Sequence, residues 1–527
     1  MTVGLPDGLF LIGSGDDEAD LPPAMVVGSK AHNLARMSRL GLPVPPAFVI
    51  GTTWCARRDA LTAAHWQPAL RALEKQTALR FGDARQPLLL SVRSGAPVSM
   101  PGMMETLLNI GLNDQTVHGL IRLTGNPRLA WDAYRRLIAS YGEVVLGLPG
   151  AAFEVDLSSV AGTCPERELD FDALRSVTRR HLDTVLRLSG RAFPQDPNDQ
   201  LQAAIDAVFA SWWSDKASTY RRLHRLDEAM GTAATVQRMV FGNAGGDSGA
   251  GVGFTRHPST GEAQPWVDFL FNAQGEDVVS GRRDAAGHDE LAAVAPRVWQ
   301  ELLDATQRLE AEFADMQDFE FTVEAGRLYL LQARAGKRTP RAAARIALDL
   351  HEAGLIDRDE ALRRTAALDE DALAEAHLAP ATGGSARRLA QAQSACTGVA
   401  SGEIALDEQR ARERHAAGAP VVLLRQDAET RDIAALELAV GLLTAHGART
   451  SHAAVVARQL GKVCLVGCST LQIDLARRTA RWEQQELAEG EWLTLDGHSG
   501  SIYAGALEVV RQVPADLMQR LQDLRNG

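Results

Sequence analysis

Apolar positions along this chain follow two spacings, which together predict a fold that mixes helices and strands. Leu34, Met37 and Leu40 recur at the three-residue spacing of a helix's buried face. Similar helical spacing covers 130–138, 199–226, 339–364 and 514–526. Short apolar runs between turn residues predict strands at 46–50, 88–93, 236–241, 398–406, 420–424, 440–443, 463–466 and 492–503. We therefore expect an α/β (α+β) fold with several compact units.

Two predicted strands place carboxylates side by side. The segment MQDFEFTVEAGRLYLLQAR reads as two strands joined at Gly326, and its alternation puts Asp318 and Glu320 on one face. Gln332 lies on the second strand. Carboxylate and amide oxygens are the hard ligands that Mg²⁺ takes beside nucleotide phosphates. The same pattern also fits an ordinary polar sheet face, so these residues alone leave both interpretations open.

A loop rich in small residues follows a buried strand that carries Arg93. The sequence SVRSGAPVSMPGMMET would let backbone N–H groups approach an anion closely, although it lacks the GxxxxGK[ST] pattern of a Walker A loop. It is a candidate phosphate lid, and its Met-Pro-Gly-Met-Met run also fits a hydrophobic plug. Lys30 is either a solvated cation near a helix end or a point charge for a nucleotide phosphate. The glycines of 242–253 fit hairpins around a ligand or simple tight turns.

The stretch GLLTAHGARTSHAAVVARQLG carries the candidate nucleophile, His452. Thr450 and Ser451 are good helix N-caps, so His452 is expected in a first helical turn. Backbone N–H groups and the helix dipole there favour a neutral imidazole and any anion attached to it, which suits phosphoryl acceptance. A histidine in an ordinary capping turn is the alternative. A metal pair of His446 and His452 would lack a third nearby ligand.

Composition narrows the classes of partner. The net charge of −12 argues against a dedicated binder of nucleic acid or of anionic membranes. Five cysteines, an odd number without a CxxC pair, predict reduced thiols. The N-terminal stretch lacks a signal-peptide pattern, and no apolar run of about 18 residues occurs. We expect a cytoplasmic protein that binds neither nucleic acid nor a membrane.

Nine segments, in chain order, resemble pyruvate phosphate dikinase and more distantly phosphoenolpyruvate synthase. They read GSKAHNLARM, SVRSGAPVSMPGMMETLLNIGLND, DAYRRLI, VQRMVFGN, SGAGVGFTRHPSTGE, NAQGEDVVSG, MQDFEFTVEAGRLYLLQAR, GLIDRDEAL and TSHAAVVAR. The resemblance covers roughly residues 28–505. It implies an ATP-grasp nucleotide-binding domain with a helical insertion, followed by a swivelling β/β/α phosphohistidine domain.

The resemblance also implies roles for particular residues. It makes His452 the acceptor of the β-phosphoryl group of ATP, with Lys30 and Arg93 as further catalytic residues and 94–105 as the lid. The nucleotide contacts that it implies are Lys30, Arg93, Ser94, Gly95, Gly102, Met239, Glu276, Asp318, Glu320, Gln332 and Arg334. The Mg²⁺ ligands that it implies are Asp318, Glu320 and Gln332. ATP and Mg²⁺ are therefore the expected cofactors.

Six domains follow from the resemblance and from the linker-like composition after residue 378. They are ATP-grasp subdomain 1 (1–112), a helical insertion (113–198), ATP-grasp subdomain 2 (199–340), helices and a linker (341–397), the phosphohistidine domain (398–510) and a C-terminal helix (511–527). Members of the family continue into a barrel that binds phosphoenolpyruvate and pyruvate, and such a barrel needs about 200 residues or more. We expect this chain to lack the barrel. The acceptor of its phosphoryl group would then lie on a separate barrel subunit or be a small molecule, with pyruvate among the candidates.

Two other functional classes stay open on the sequence. A non-enzymatic phosphocarrier or regulatory module would bind ATP and a partner without turnover, and an inactive truncated paralogue would do neither. Thr450 is either an N-cap or, as in some members of the family, a regulatory phosphorylation site. His446 and Arg449 depart from the pattern of the family, although neither departure removes a proposed catalytic group.

Overall fold

The computed structural model describes residues 5–13, 21–98, 100, 103–279, 287–379, 387–427, 432–447, 449, 451–483 and 485–526, with the backbone alone for Glu276, Val279, Ile433, His452, Ala453 and Gln459. The chain divides into two compact units. The first comprises Met1–Gly246 and Tyr329–Ala333, and the second comprises Asp247–Leu328 and Arg334–Gly527. Both contain helices and sheets, which confirms the expected α/β (α+β) class. The six finer domain boundaries stay a prediction.

The first unit is built on an antiparallel sheet covered by helices. Its strands are β1 (Leu9–Ile12), β2 (Ala47–Ile50), β3 (Arg80–Phe81), β4 (Pro87–Leu88), β5 (Leu90–Gly95), β6 (Thr106–Ile110) and β7 (Ala233–Arg238). Its helices are α1 (Ala24–Arg39), α2 (Ala63–Thr77), α3 (Thr116–Thr124), α4 (Pro127–Val144), α5 (Gly150–Ala161), α6 (Phe171–Ser189), α7 (Pro197–Ser211) and α8 (Asp215–Leu223). Five strands form the main sheet in the order β1-β2-β7-β5-β6. Apolar faces of α2, α4 and α7 complete its core.

Capping residues set the helix boundaries in this unit. Asn126 accepts a hydrogen bond from the backbone N–H of Leu129 and so begins α4, with Pro127 at the first helical position. The helical pattern predicted over 199–226 divides into α7 and α8. The break occurs because Ser214 accepts a hydrogen bond from the N–H of Ala217 and begins a new helix. The predicted helix around Leu34 and Met37 is confirmed as α1.

The second unit contains most of the strands. They are β8 (Gly249–Phe254), β9 (Trp266–Phe271), β10 (Gln317–Glu324), β11 (Arg327–Ala335), β12 (Glu375–Leu378), β13 (Arg388–Gln391), β14 (Gln393–Cys396), β15 (Val399–Ala405), β16 (Val421–Arg425), β17 (Gly441–Thr444), β18 (Val463–Val466), β19 (Leu471–Asp474), β20 (Thr479–Trp482), β21 (Gln485–Ala488), β22 (Trp492–Asp496), β23 (Ser501–Ala504) and β24 (Val509–Gln512). The middle of β11 groups with the first unit. The helices are α9 (Gly275–Val279), α10 (His288–Val294), α11 (Pro296–Phe313), α12 (Pro340–Glu352), α13 (Arg358–Thr365), α14 (Glu370–Leu373), α15 (Glu408–Ala416), α16 (Ile433–Leu438), α17 (His452–Gln459) and α18 (Ala515–Asn526).

Two sheets of this unit carry the candidate chemistry. One has four strands in the order β11-β10-β8-β9, and the other has eight in the order β13-β23-β22-β15-β16-β17-β18-β14. Four neighbouring strands of this sheet, β15 to β18, run parallel. Strands β12 and β24 form a separate antiparallel pair, located just before and just after the eight-stranded sheet in the chain. The strands predicted at 398–406, 420–424, 440–443, 463–466 and 492–503 are thereby confirmed.

The glycines of β8 have a packing role that the sequence did not indicate. We expected the glycine-rich segment 242–253 to form hairpins around a ligand or tight turns. Turns are confirmed for residues 242–247, whereas residues 249–254 form a buried strand that pairs antiparallel with β9. A Cβ atom on Gly249, Gly251 or Gly253 would lie within 2.1–2.8 Å of the rings of Phe269, Phe321 and Phe319 respectively. Glycine is needed there because aromatic side chains of the neighbouring strands occupy the space.

Two sequence-based expectations concern the whole chain. All five cysteines are free thiols, and four of them are buried. Burial raises the pKa of the Cys396 thiol to about 11, so this sulfur stays protonated near neutral pH. Among the described residues, no helix is both long enough and apolar enough to cross a membrane.

Candidate active site

The beginning of helix α1 packs against the end of strand β5. Gly28 has a φ of +78°, and a Cβ atom there would lie 1.9 Å from the carbonyl oxygen of Gly95. The backbone N–H and the hydroxyl of Ser29 both donate to the carbonyl oxygen of Ala96, at 2.9 and 3.0 Å. Lys30 is the next residue, so the structure brings this cation beside the first residues of the predicted lid. Its contact with phosphate stays a prediction.

Arg93 lies on β5, two residues before Gly95. It pairs in register with Thr235 of β7 and Thr106 of β6, and its side chain is half-buried. The first two residues of the predicted lid, Ser94 and Gly95, are buried and complete strand β5, and the lid itself stays a prediction. Strand pairing therefore fixes Ser94 and Gly95, and the irregular segment begins at the following residue.

The other end of the lid is held by a charge pair. Glu105 pairs with Lys216 of α8 at 2.5 Å, and the N–H of Gly95 donates to the hydroxyl of Thr232 at 3.1 Å. These contacts anchor both ends of the segment to the first unit. Gly102, the remaining predicted lid contact, lies outside the described residues.

Two further predicted nucleotide contacts lie in different units. Met239 follows β7, its N–H donates to the carbonyl oxygen of Leu89 at 2.9 Å, and its side chain packs on the core of the first unit. Glu276 belongs to the short helix α9 of the second unit, and its side chain lies outside the described residues. Both assignments stay predictions.

Asp318 and Glu320 lie on the same face of β10, as their spacing predicts. Asp318 is paired with Phe254 of β8, and Glu320 with Val252. The joint at Gly326, with a φ of +71°, is confirmed as well. Gln332 is buried within β11, in the stretch that groups with the first unit.

An arginine partners the more buried of these acids. Arg334 contacts Asp318 through Nε and Nη2, at 2.9 and 2.8 Å from the same carboxylate oxygen. Burial raises the pKa of the Asp318 carboxyl above its ordinary value, although the charge of Arg334 opposes the rise. A divalent cation near these oxygens would stabilise the ionised carboxylate and so offset the cost of its burial. Asp318 and Glu320 therefore fit the hard-oxygen donor set that Mg²⁺ requires.

The structure adds a third carboxylate to this face. Asp268 on β9 is paired with Val252, the residue that also pairs with Glu320, so the three side chains point to one side of the sheet. The Asp268 side chain is fully buried. Our sequence analysis missed this residue. An acidic residue in the middle of the apolar run WVDFLF was the available signal, because a charge is buried in a strand only when something compensates it.

The compensating charge comes from the segment just before His452. Arg449 donates to Asp268 through Nε at 2.9 Å and through Nη2 at 2.5 Å, and Nη2 also reaches the carbonyl oxygen of Val267 at 3.3 Å. Its guanidinium lies 4.4 Å from the ring centroid of Trp266. Arg449 was noted from the sequence only as a departure from the family pattern. In the structure it anchors the segment that precedes His452 on the acidic face of the four-stranded sheet.

A second arginine supports the same contact. Arg458 of α17 is buried, and it donates to the carbonyl oxygens of Ala395, at 2.8 Å, and of Arg449, at 3.3 Å. Its guanidinium lies over Trp266 and Phe254, at 5.1 and 5.2 Å from the ring centroids. Burial lowers the pKa of this guanidinium. Arg458 thus holds the backbone of Arg449 while it packs on the same aromatic residues.

His452 is the first residue of α17, and Ser451 is its N-cap, as predicted. The Ser451 hydroxyl accepts a hydrogen bond from the N–H of Ala454 at 3.4 Å. The side chain of His452 and the whole of Thr450 lie outside the described residues. His446 is exposed and pairs with Asp427 at 3.2 Å. The suggestion of a metal pair with His452 therefore stays untested.

Comparison with known proteins identifies the family of this chain. The model of the family described as "Pyruvate phosphate dikinase, AMP/ATP-binding domain" matches residues 58–298 and 289–354, more than half of the chain. This chain belongs to the pyruvate phosphate dikinase family. A second model, "PEP-utilising enzyme, mobile domain", matches residues 418–500, which include Arg449, His452 and Arg458.

Individual members of the pyruvate phosphate dikinase family are similar along nearly all of this chain. Pyruvate, phosphate dikinase 1 of Oryza sativa is 41% identical over 507 residues, which cover 94% of this chain and 53% of the relative. The pyruvate, phosphate dikinases of Clostridium symbiosum and Giardia intestinalis are 40% and 41% identical, and the match covers 58% of each relative. The chain thus spans little more than half the length of the curated relatives that it matches.

The family match and the geometry of the second unit have a common consequence. The carboxylates of Asp268, Asp318 and Glu320 share a face of the four-stranded sheet, which lies largely within the matched nucleotide-binding model. Arg449 belongs to the matched mobile domain and contacts that face. The segment that bears His452 is therefore held against part of the nucleotide-binding domain of a pyruvate phosphate dikinase family member.

Proposed function

We propose that this chain is an ATP-dependent dikinase-type phosphotransferase in which His452 accepts the β-phosphoryl group of ATP, the γ-phosphoryl group passes to water or to inorganic phosphate, and AMP is released. The observation that supports it most directly is the pairing of Arg449, three residues before His452, with the buried Asp268. This contact holds the segment before His452 against the four-stranded sheet that carries Asp318 and Glu320. A histidine in free solution reacts poorly with ATP, whereas a docked histidine reacts in an effectively intramolecular step.

In this proposal the chain binds ATP by neutralising its charge. Lys30, Arg93 and Arg334 offset the charge of the phosphate oxygens, and the lid 94–105 covers them. The remaining nucleotide contacts are Ser94, Gly95, Gly102, Met239 and Glu276. Asp318, Glu320 and Gln332 would hold Mg²⁺. The bound ion would supply positive charge that neutralises and orients the phosphoryl groups. The donor chemistry of the two carboxylates supports this assignment.

We further propose the domain arrangement that suits such a transfer. An ATP-grasp domain with a helical insertion binds the nucleotide, and the sheet β13–β18 with β22 and β23 forms a swivelling β/β/α phosphohistidine domain. The swivel lets His452 leave the nucleotide and reach a second site. Because members of the family are named for pyruvate and phosphate, pyruvate is our first candidate acceptor. The pyruvate site would lie on a separate barrel subunit or elsewhere. Alternatively, another small molecule would accept the phosphoryl group.

Labelling of the protein tests the phosphoryl transfer. The chain is incubated with ATP labelled at the β-phosphorus and with Mg²⁺, and acid-labile label on the protein is counted. We expect label on the unaltered chain and none on His452→Ala. The variant His446→Ala is the matched control, since His446 is an exposed histidine six residues away, and it should label normally.

The outcomes separate the competing functions. Equal labelling of His452→Ala would show that another group accepts the phosphoryl group. ATP binding without any label on the unaltered chain would favour a non-enzymatic carrier or regulatory module. An absence of both binding and label would identify an inactive member of the family. Transfer of label from the protein to added pyruvate then tests the acceptor separately.

A further inference from the structure

Three side chains with metal-binding chemistry meet where strand β12 approaches a turn of the eight-stranded sheet. Glu375 and His377 are two residues apart on β12, so they project to the same side of that strand. His498 lies in the turn between β22 and β23 of the eight-stranded sheet. One ligand atom from each of the three lies within 4.8 Å of the others. The cluster therefore joins β12 to a turn of the sheet that follows it in the chain.

The two imidazoles are already arranged side by side. Their ring centroids are 4.3 Å apart and their planes differ by 5°. His498 Nε2 lies 3.1 Å from the carbonyl oxygen of Ala376, which can only accept a hydrogen bond. Nε2 therefore carries the proton, and the lone pair of a neutral His498 resides on Nδ1. A backbone carbonyl that fixes one ring nitrogen in this way is common in metal sites, because it orients the other nitrogen toward the ion.

The carboxylate of the cluster is oriented from its other side. Arg341 pairs with Oε2 of Glu375, and His377 Nε2 lies 3.9 Å from the same oxygen. The Glu375 side chain is only 14% exposed, so its position is restricted. The ion pair with Arg341 holds this carboxylate beside the imidazoles.

We propose that Glu375, His377 and His498 form a binding site for a transition-metal dication of the Zn²⁺ type. Two imidazoles and one carboxylate are a donor set that Zn²⁺ accepts, with water in the fourth position. Mg²⁺ prefers oxygen ligands and is disfavoured by the two nitrogens. The site is thus chemically distinct from the acidic face of β10. A bound ion would connect β12 to the eight-stranded sheet, which follows β12 in the chain.

The affinity for Zn²⁺ is measured on the full chain by competition with a chromophoric chelator. The titrations use a Cys164→Ser background, because Cys164 is the exposed thiol among the five. We expect one tightly bound Zn²⁺ per chain that millimolar Mg²⁺ does not displace. His498→Ser and His377→Gln should each weaken binding at least tenfold, since each removes one of three ligands. His415→Gln, at an exposed histidine of α15, is the matched control and should bind Zn²⁺ normally.

A second measurement distinguishes loss of the metal site from loss of the fold. Co²⁺ bound by the three side chains should give visible absorption bands that disappear in His498→Ser, and circular dichroism should show that this variant is folded. His498 lies in an exposed turn, so we expect the fold to survive its replacement. Zn²⁺ affinity that is unchanged in both folded histidine variants would overturn the proposal, as would an unaltered chain that binds no Zn²⁺. Neither result bears on phosphoryl transfer to His452.

Discussion

Asp268 has a fully buried side chain, and a carboxylate removed from water needs a cation beside it. Arg449 supplies that cation through two hydrogen bonds to one oxygen. Such a pair contributes little net stability, because both groups lose their hydration, yet removal of one partner leaves the other charge uncompensated. The pair therefore favours one position of the segment before His452 over its alternatives.

His257 lies beside this pair and gives it a pH dependence. Its Nδ1 accepts hydrogen bonds from the N–H groups of Ser259 and Thr260 at 3.2 Å. The pKa of the imidazole is lowered from 6.5 to about 4, chiefly by burial, and the charges of Arg458 and Arg449 contribute to this fall against the opposing charge of Glu262. Protonation of His257 would thus add a third positive charge beside the two arginines.

We predict that acid destabilises the unaltered chain more than the variant His257→Asn. Between pH 6.5 and 4 the unfolded state binds more protons at this position than the folded state, so stability falls as the pH falls. The pKa difference corresponds to at most about 2 kcal/mol between pH 7 and pH 5. Urea unfolding of both proteins at the two pH values measures it. Asn keeps an acceptor for the two N–H groups, so identical pH dependence of the two proteins would contradict the prediction.

At the scale of elements, α1 and β5 contact each other through glycine. Gly28 interrupts the helix with a positive φ, and its missing side chain lets the helix start approach Gly95. This contact places the Cβ of Lys30 close to Gly95, at the beginning of the predicted lid. The arrangement explains why the motif GSK begins with glycine, since any larger residue would separate the two elements.

We predict that Gly28→Ala both destabilises the first unit and weakens ATP binding. The φ of +78° alone costs an alanine about 1–3 kcal/mol, and its Cβ would lie 1.9 Å from the oxygen of Gly95. Urea unfolding measures the first effect, and equilibrium binding of ATP with Mg²⁺ measures the second. Gly246→Ala is the control, because a Cβ there has no neighbour within 4 Å. A Gly28→Ala protein as stable as the control would show that α1 can move away without cost.

The sequence predicted elements better than it predicted their contacts. Period-two alternation correctly located β10 and the shared face of Asp318 and Glu320, because alternation follows directly from strand geometry. The turns expected among the glycines of 242–253 are present at 242–247. The packing role of the β8 glycines could not be predicted, because the aromatic rings that require them come from other strands. The pairing of Arg449 with Asp268 joins residues 181 positions apart. No local periodicity carries such information, although a lone acid in an apolar strand indicates that a partner exists.

At the scale of the whole molecule, charge pairs join segments that are distant in the chain. Arg256, two residues after the end of β8, contacts Glu310 of α11 and Asp349 of α12, at 2.7 and 2.6 Å. Asp349 also pairs with Arg520 of α18 at 2.7 Å. These pairs connect helices within the second unit and have no proposed catalytic part. The Arg449–Asp268 pair differs from them, because it connects the matched nucleotide-binding model to the matched mobile domain.

We predict strong energetic coupling between Arg449 and Asp268 in phosphoryl transfer. Arg449→Met and Asp268→Asn should each slow labelling of the protein, since loss of one partner of a buried charge pair costs about 2–5 kcal/mol. Each 1.4 kcal/mol of that cost corresponds to about a tenfold change. The double variant should lose much less than the sum of the two, because the second change removes a charge that is already uncompensated.

The control for this cycle is an exposed pair on α15, just before the residues that the mobile-domain model matches. Arg412 and Glu408 of α15 form a salt bridge of 2.6 Å with both side chains largely exposed, and such pairs contribute roughly 0–1 kcal/mol. Arg412→Met and Glu408→Gln should therefore leave labelling unchanged, singly and together. Additive losses for Arg449 and Asp268 would mean that the two residues act independently. The approach of His452 to the nucleotide would then not depend on their pairing.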